Sequence, residues 1–311
     1  MKKALVFTFL VGLSSHTFAA DKCQVKSVFN MVAFGSDYVK GKNLNANGSI
    51  ASGNNIQLLN SEIQNSDCRA LSSNGNVTVN DSRINGSIES FGKLVINKTE
   101  VKGQVRSPNK IELRDSSVGI VVSPKGSTLV NSTRERWWTS SLINSIDLNK
   151  FRNDVASESK KFAAQPKSEN LKLIVYKENL TLSLKNKDNV VSLNSDQLAK
   201  IKNLEIRGDV EQTLVINVTG ETIALDQNVI DISGDIEPFN IVWNFHQAKS
   251  VVISETSDQV LGVPGRILAP NANVKLENAL VSGGIYAKSI DFNVAGENNS
   301  SKLREIKYLD K

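Results

Sequence analysis

The sequence predicts a mainly β protein that winds into a parallel β-solenoid (β-helix), with one α-helix inserted and packed alongside. Three observations point to this fold. Apolar and turn-forming residues recur about every 17 residues between positions 50 and 133. Within a repeat, Val77-Thr78-Val79 alternates apolar and polar residues as a short strand does. The same local pattern returns at residues 263–294, so one architecture is expected at both ends of the chain.

Six columns of residues share this spacing. They are Leu71, Ile88, Val105 and Val122; Val77, Leu94 and Ile111; Val79, Ile96, Leu113 and Val130; Ile84, Val101 and Val118; Gly75, Gly92, Asn109 and Gly126; and Ser82, Thr99, Ser116 and Thr133. A single turn cannot bury its apolar side alone, and parallel stacking of turns buries a continuous core. Gly, Asn and Ser are too frequent here for a helix, and the hydroxyl column is typical of turns.

The N-terminus is predicted to be a signal peptide at residues 1–19. Two lysines precede the apolar stretch 4–13, which is too short to span a bilayer, and cleavage is expected after Ala19 or Ala20. An N-terminal membrane anchor is the alternative. The chain is therefore expected to be exported and to reside in the periplasm, at the cell surface or outside the cell.

Charge and hydropathy argue against two classes of partner. Lys and Arg number 37 against 32 Asp and Glu, and loss of the two signal-peptide lysines leaves 35 minus 32, or +3. These charges form no basic stripe, so no nucleic-acid partner is expected. No second apolar segment of spanning length follows, so no transmembrane segment is expected after processing.

Two cysteines remain after processing, Cys23 and Cys68, and we predict a disulfide between them. Four extra residues lie between Ile63 and Leu71 relative to the regular repeat, and Cys68 falls within this insertion. A closed zinc site needs four ligands, so two cysteines predict no metal site, and no cofactor is expected.

The mature chain is expected to form a single domain at residues 23–298. Its predicted parts are regular turns at 50–133, a helix at 145–165 with Ser145 or Asp147 as N-cap, irregular strands at 171–256, final turns at 263–294, and a polar tail at 299–311. The period alone leaves open whether residues 171–256 stack as further turns or form a separate sheet.

Four segments together resemble the choice-of-anchor A domain of bacterial surface and secreted proteins. They are 29–38 (FNMVAFGSDY), 215–220 (VINVTG), 241–245 (IVWNF) and 263–272 (VPGRILAPNA). The resemblance implies one domain over nearly the whole mature chain. That family is named for variable C-terminal anchors, and this sequence shows none, which puts cell-wall attachment in doubt. The last turns also resemble ice-binding β-solenoids, in which a helix lies beside a discontinuous parallel β-helix.

Catalysis is not expected. His246 is the histidine left after processing, and it lies beside Phe245 in an apolar strand without a cluster of Cys or His. The outward strand positions Thr78, Val95, Glu112 and Leu129 are not the acidic and basic cluster of a polysaccharide-cleaving β-helix enzyme, and they are not a hydroxyl ladder that could bind ice. These two functions remain the alternatives.

The predicted function is a non-enzymatic binding or structural module, similar to an adhesin or an extracellular-matrix component. A broad face of stacked strands would recognise a repetitive partner, either an extracellular polysaccharide or a surface protein. The candidate ligand-binding residues are Arg134, Arg136, Trp137 and Trp138, because paired aromatics with arginines can stack on sugars or anchor a protein. Burial of the two tryptophans where the regular turns stop is the alternative interpretation.

Overall fold

The computed structural model describes residues 31–138, 147–169, 171–226, 229–254, 261–293 and 302–304. Its helices are α1 (Leu148–Ala163) and α2 (Ser195–Ala199), with a 3-10 helix at Pro238–Asn240. Its strands in chain order are β1 (Ala33–Lys42), β2 (Asn45–Asn47), β3 (Ile50–Ser52), β4 (Asn55–Leu59), β5 (Glu62–Ser73), β6 (Val77–Asn80), β7 (Arg83–Ser90), β8 (Leu94–Asn97), β9 (Glu100–Arg106), β10 (Ile111–Arg114), β11 (Ser117–Val122), β12 (Ser127–Val130), β13 (Thr133–Trp138), β14 (Lys172–Tyr176), β15 (Asn179–Ser183), β16 (Asp188–Asn194), β17 (Asn203–Gly208), β18 (Thr213–Thr219), β19 (Thr222–Asp226), β20 (Val229–Gly234), β21 (Ile241–Asn244), β22 (Ser250–Ser254), β23 (Leu261–Pro264), β24 (Arg266–Glu277), β25 (Ala279–Ser282), β26 (Ile285–Asn293) and β27 (Lys302–Arg304).

The strands build a parallel solenoid with three faces. The helix face contains β3, β16, β18, β21, the first halves of β1, β24 and β26, and the second halves of β5, β7, β9, β11 and β13. The open face contains β4, β6, β8, β10, β12, β19, β22 and the second halves of β1, β24 and β26. The third face contains the remaining strands. Alternate side chains point inward from each face and form one core along the whole solenoid.

The described part of the chain begins in the middle of the solenoid and ends beside its own first strand. The first strand, β1, pairs with β3 and β4 on one edge and with the late strand β26 on the other, for example through Ala33 and Ile285. Turns from β1 to β13 stack in one direction. The chain then passes through α1, and the turns from β14 to β26 approach β1 from the opposite end. Two stacks of turns therefore meet at the β1–β26 pairing.

A uniform turn length is not found. Val77 pairs with Leu94 and Leu94 with Ile111, which are 17 residues apart, but Ile111 pairs with Ser127, which is 16 residues away. The missing residue lies at a register shift between Val118 and Ile120. Every later position is therefore displaced by one residue from the predicted columns.

Five predicted positions are wrong for this reason: Val122, Gly126, Leu129, Val130 and Thr133. Val121, and not Val122, pairs with Val105. Leu129, and not Val130, pairs with Leu113, so Leu129 points toward the core and Thr128 takes the predicted outward place. Thr133 pairs with Ser117, so it leaves the hydroxyl column.

The predicted insertion before Leu71 is present as a bulge in β5. Gln64 pairs with Asn85 and Leu71 with Ile88, so seven steps along β5 stand opposite three along β7. Such bulges bend a strand and leave extra residues unpaired. Cys68 lies in this bulge, but its side chain and all of Cys23 are outside the described residues, as are the predicted signal peptide and Ser145.

The hydroxyl column lies at a corner and caps turns, as predicted. Its members are Ser61, Ser82, Thr99, Ser116 and Ser132. Each hydroxyl donates to the carbonyl two residues earlier and accepts from a backbone N–H of the preceding turn; Thr99 Oγ1, for example, lies 2.8 Å from the Asn97 oxygen and 3.2 Å from the Ser82 nitrogen. The residue before each hydroxyl has a positive φ, which Asn and Asp tolerate better than most residues and which Lys98 also adopts.

A second ladder of buried serines was not predicted. Ser90, Ser107 and Ser123 lie at the corner that follows the helix face, and each donates to a carbonyl of the turn before it. The donor–acceptor distances are 2.9, 3.0 and 2.8 Å, respectively. These hydroxyls therefore join each turn to the one before it at a corner, where the strand ladders are interrupted.

Helix α1 lies within the predicted range and packs on the helix face. Asp147 is its N-cap, with a carboxylate oxygen 2.9 Å from the Lys150 nitrogen. Phe151 contacts Phe34 edge to face, with ring centroids 6.2 Å apart, and Val155 joins the same apolar cluster. A buried polar network follows one turn later at Ser159.

This network joins the helix to two strands through fully buried hydrogen bonds. Ser159 Oγ donates to Asn244 Oδ1 at 2.6 Å, and Asn244 Nδ2 donates to the Ser159 oxygen at 2.9 Å. Asn244 Nδ2 also donates to Asn217 Oδ1 at 2.7 Å, and Asn217 Nδ2 donates to the Phe162 oxygen at 2.9 Å. Every polar group of Asn244 therefore has a partner, as burial requires.

The described residues between 171 and 254 partly continue the solenoid and partly form a separate sheet, the two arrangements that the sequence left open. Strands β16, β18, β19, β21 and β22 continue the large sheet, whereas β14, β15, β17 and β20 form a sheet of four strands on the third face. The short helix α2, with a capping box between Asn194 and Gln197, was not predicted and packs beside β19 at the end of the open face. The tail predicted at 299–311 contains β27, which pairs with β2 and β25.

Candidate functional site

The open face is a broad surface of parallel strands on a side of the solenoid different from the one that α1 covers. Ten strand segments run parallel across it, from β19 at one end to β12 at the other. Its central outward column contains polar, apolar and charged residues: Lys40, Gln57, Thr78, Val95, Glu112 and Thr128. This composition can hydrogen-bond a partner at many points, but it is no regular ladder of hydroxyls.

A shallow depression of about 420 Å³ lies near the middle of the open face, at the junction of the two stacks. Lys40, Lys42 and Gln57 line it from the N-terminal stack, and Asp291 and Asn293 line it from the C-terminal stack. The Lys40 ammonium lies 4.9 Å from the centroid of the Tyr38 ring, which holds this end of the wall in place. Amines, amides and a carboxylate therefore surround one concave patch, a donor set that suits hydroxyl-rich or peptide-like ligands.

Exposed ion pairs surround the depression. Lys93 Nζ lies 2.9 Å from Glu112 Oε1, and Lys275 Nζ lies 2.6 Å from Glu277 Oε1. The hydrogen bond from Lys93 lowers the pKa of the Glu112 carboxyl, and the hydrogen bond to Glu277 raises the pKa of the Lys275 ammonium. Both shifts favour the charged forms of Glu112 and Lys275, and the open face carries mixed charge.

Arg134 and Trp137 lie at the end of the solenoid, in the last described turn of the N-terminal stack. Arg134 pairs with Val118 and Trp137 with Val121, so both occupy core columns that no further described residue continues. The Arg134 guanidinium carbon lies 5.4 Å from the Trp137 ring centroid, and Arg134 Nη1 donates to Ser127 Oγ at 2.5 Å. The pair covers the open end of the core, as terminal repeats require, and leaves Trp137 44% exposed.

The other two predicted candidates share this strand. Arg136 pairs with Ile120 and is exposed, and Trp138 pairs with Val122, although the Trp138 side chain is outside the described residues. The four predicted residues are therefore adjacent on β13, at the solenoid end and not on the open face. Sequence reasoning missed the depression, because its two walls come from residues about 250 positions apart.

His246 faces a cleft of about 550 Å³ between α1 and the bend of β24 at Pro270 and Asn271. The described residues provide no hydrogen-bond partner for its buried Nδ1 atom. The cleft is also lined by Ser159 and Lys160 but by no carboxylate among the described residues, so His246 has no acid or base partner there.

Glu89 is the carboxyl group whose surroundings depart most from water. It is 2% exposed on the helix face, and its Oε2 lies 2.9 Å from Arg69 Nε. Burial raises the pKa of the Glu89 carboxyl, and the charges of Arg69 and Arg106 oppose this effect. Perturbed carboxyls often indicate active sites, but burial opposed by the charges of Arg69 and Arg106 accounts for the shift of Glu89.

This raised pKa predicts a pH-dependent stability. The folded state binds the Glu89 proton more tightly than the unfolded chain does, so the stability from this group is complete at acidic pH and falls as pH rises through the raised pKa. The Glu89→Gln variant cannot lose that proton. We expect its melting temperature relative to the wild type to rise between about pH 4 and pH 7, with each tenfold difference in proton affinity contributing about 1.4 kcal/mol. Thermal unfolding by circular dichroism across this range measures the effect.

The control is Glu100→Gln on the neighbouring strand, where the exposed carboxylate lies 3.3 Å from Arg83. Exposed pairs contribute little, so this variant should follow the wild type at each pH. Parallel pH curves for Glu89→Gln and wild type would contradict the prediction.

The described residues contain no group of three or more His, Cys, Asp or Glu residues placed to hold a metal ion. None of their helices is long and apolar enough to cross a membrane.

Comparison with known proteins identifies a family. Residues 23–299 match the family described as "Putative Ice-binding-like adhesive domain". A solved structure, the crystal structure of an ice binding protein from an Antarctic bacterium of the Flavobacteriaceae, aligns with a TM-score of 0.30 at 9% sequence identity, over 93% of this chain and 100% of that chain. No curated protein matched the sequence. With most of its length inside one family match, the chain belongs to the family of ice-binding-like adhesive domains.

Proposed function

We propose that this domain is a non-enzymatic adhesive module at the cell surface or outside the cell, and that its open face holds a repetitive external partner, a polysaccharide or a surface protein. The observation that carries the proposal is the depression bordered by Lys40, Gln57 and Asp291 at the centre of ten parallel strands. The parallel ladders make this face rigid, so binding needs little ordering of the protein. The adhesive family is consistent with this role. Membership of the choice-of-anchor A group, export by a signal peptide and a Cys23–Cys68 disulfide remain predictions.

An array of bacterial and host polysaccharides and immobilised surface proteins tests the proposal. We expect binding to at least one of them, with Gln57→Arg on the open face weakening it about tenfold or more, because a long cation enters the depression. The matched control is Gln64→Arg, also an exposed strand glutamine but on the third face, and it should keep wild-type binding. Equal binding by both variants, or no binding by the wild type, would contradict the proposal. Polysaccharides recovered at unchanged length would support a role without catalysis.

Ice binding is the second candidate function, and the family description favours it as directly as it favours adhesion. The same flat open face would be the ice-contacting surface. Its central column holds Thr78 and Thr128 but also Glu112 and Lys40, and this mixture favours a chemically varied partner over an ice lattice. A thermal-hysteresis measurement distinguishes the two functions, since an adhesin produces none.

The cluster Arg134, Arg136, Trp137 and Trp138 remains a second candidate ligand-binding surface. Trp137 is still nearly half exposed while it covers the core, so one side of its ring is available for stacking. The double variant Trp137→Ala with Trp138→Ala, checked for folding by circular dichroism, tests this surface on the same array. Full retention of binding would exclude it.

A further inference from the structure

An exposed apolar strand closes the other end of the solenoid. All five residues of β14 are exposed, including Val175 at 70% and Tyr176 at 65%. β14 runs antiparallel to β15, whereas every other strand pairing of the described residues is parallel. No described strand pairs with its outer edge. Exposed apolar edge strands tend to pair with another chain.

The direction of β14 selects the kind of partner that fits this edge. A two-fold axis perpendicular to the sheet places two copies of one edge strand antiparallel to each other, so the same edge serves both partners. Antiparallel pairing also prevents either lysine at the ends of β14, Lys172 or Lys177, from standing directly opposite its own copy. A parallel pair of β14 strands would place each lysine opposite its own copy, which is destabilising.

Hydrogen-bond geometry then limits the register. The hairpin turns through Lys177 and Glu178 and closes on the pair Tyr176–Asn179. In a two-residue hairpin this closing pair is hydrogen-bonded and the pairs alternate, so Leu173 and Val175 direct their N–H and C=O groups to the free edge. Leu173 and Val175 must therefore form the hydrogen-bonded pairs with an antiparallel copy. A register centred on Ile174 does so and pairs all five residues of β14.

The side chains agree with this register. Leu173 and Val175 lie on the side of β14 that carries the buried partners Leu182 and Leu180, so each would face an apolar residue of the second copy. On the opposite side Ile174 would meet its own copy, and Lys172 would meet Tyr176. Lysine above an aromatic ring is favourable, and Lys177 already lies 5.4 Å from the Tyr176 ring centroid within one chain.

We propose that the domain forms a two-fold symmetric dimer in which β14 pairs antiparallel with β14 of a second copy, with Ile174 on the axis. This pairing makes four hydrogen bonds between backbones and joins the two four-stranded sheets into one of eight strands. The open face lies on another side of the solenoid and stays accessible in such a dimer.

A cysteine at the axis tests the register directly. In the proposed dimer Ile174 and its copy form a non-hydrogen-bonded pair with Cα atoms about 4.5 Å apart, a separation that a disulfide can span. We expect Ile174→Cys to give a covalent dimer under mild oxidation, seen on a non-reducing gel. Leu173→Cys is the control, because its two copies lie about 8 Å apart and should not cross-link. The parent chain, which retains Cys23 and Cys68, gives the background.

Sedimentation velocity from about 1 to about 100 μM gives a second readout that needs no new cysteine. The wild type is expected to dimerise over this range, and Val175→Lys to remain monomeric. Val210→Lys replaces another exposed valine, 53% exposed in the turn before β18, and should dimerise like the wild type. A wild-type monomer at every concentration, or equal cross-linking by both cysteine variants, would overturn the proposal. A monomer at every concentration would mean that Lys172 and Lys177 prevent pairing at the free edge of β14.

Discussion

Gly103→Ala is expected to be strongly destabilising, although it adds a single methyl group at a corner of the solenoid. A Cβ atom at Gly103 would lie 2.4 Å from the Gly86 carbonyl oxygen and 2.5 Å from its carbon, far inside van der Waals contact. Both clashing atoms belong to the backbone of the preceding turn, so no side chain can rotate away. The strands must separate at that corner, and we expect a loss of about 3 kcal/mol or more in the free energy of unfolding.

Gly262→Ala is the matched control. Gly262 also lies in a strand of the third face, but no atom lies within 4 Å of its Cβ position. Its free energy of unfolding should equal that of the wild type or be slightly higher, because alanine restricts the unfolded chain. Chemical denaturation of both variants measures the difference. A Gly103→Ala protein within about 1 kcal/mol of Gly262→Ala would show that the corner adapts.

Asn244→Leu is expected to release helix α1 from the helix face. The leucine has a similar size, but it leaves Ser159 Oγ and Asn217 Oδ1 buried without their partner. Each buried group left unpaired costs about 1–3 kcal/mol, so we expect a loss of about 3–5 kcal/mol. Denaturant unfolding measures this loss, and earlier proteolysis at the ends of α1 would show that the helix detaches first.

Asn203→Leu is the matched control, because it removes a similar hydrogen bond that is exposed to water. Asn203 Nδ2 donates to Asn179 Oδ1 at 2.6 Å across neighbouring parallel strands, like the Asn244–Asn217 pair, but both residues are exposed. Water replaces the lost partner, so we expect a change within about 0.5 kcal/mol. Similar losses in the two variants would mean that burial does not set the strength of the Asn244 network.

Much of the fold could be predicted from the sequence because core positions repeat locally. The period placed Val77, Leu94 and Ile111 in one column, and the structure pairs them in that order. The prediction was wrong after Gly119, since a corner can lose one residue without any change in the apolar pattern on either side. The antiparallel direction of β14 could not be predicted either, because side chains alternate between the two faces in parallel and antiparallel strands alike.

The candidate site was harder to predict than the fold. For Trp137 the sequence left ligand binding and coverage of the core both open, and the pairing with Val121 places it in a core column. The depression depends on Lys40 and Asp291 lying side by side, a register that follows from the meeting of the two stacks. The buried ladder of Ser90, Ser107 and Ser123 does have a signal in the sequence, a serine recurring after each apolar strand.

The pairing of β1 with β26 has a consequence for the order of folding. Any chain leaves the ribosome N-terminus first, so the turns from β1 to β13 can assemble while β26 is still unmade. Contacts between residues about 250 positions apart form slowly, and until they form, the N-terminal half displays an unpaired parallel edge along β1. The β26 strand of a neighbouring chain could occupy that edge. The time between synthesis of the first strand and the last is therefore the period when this protein is most exposed to domain swapping.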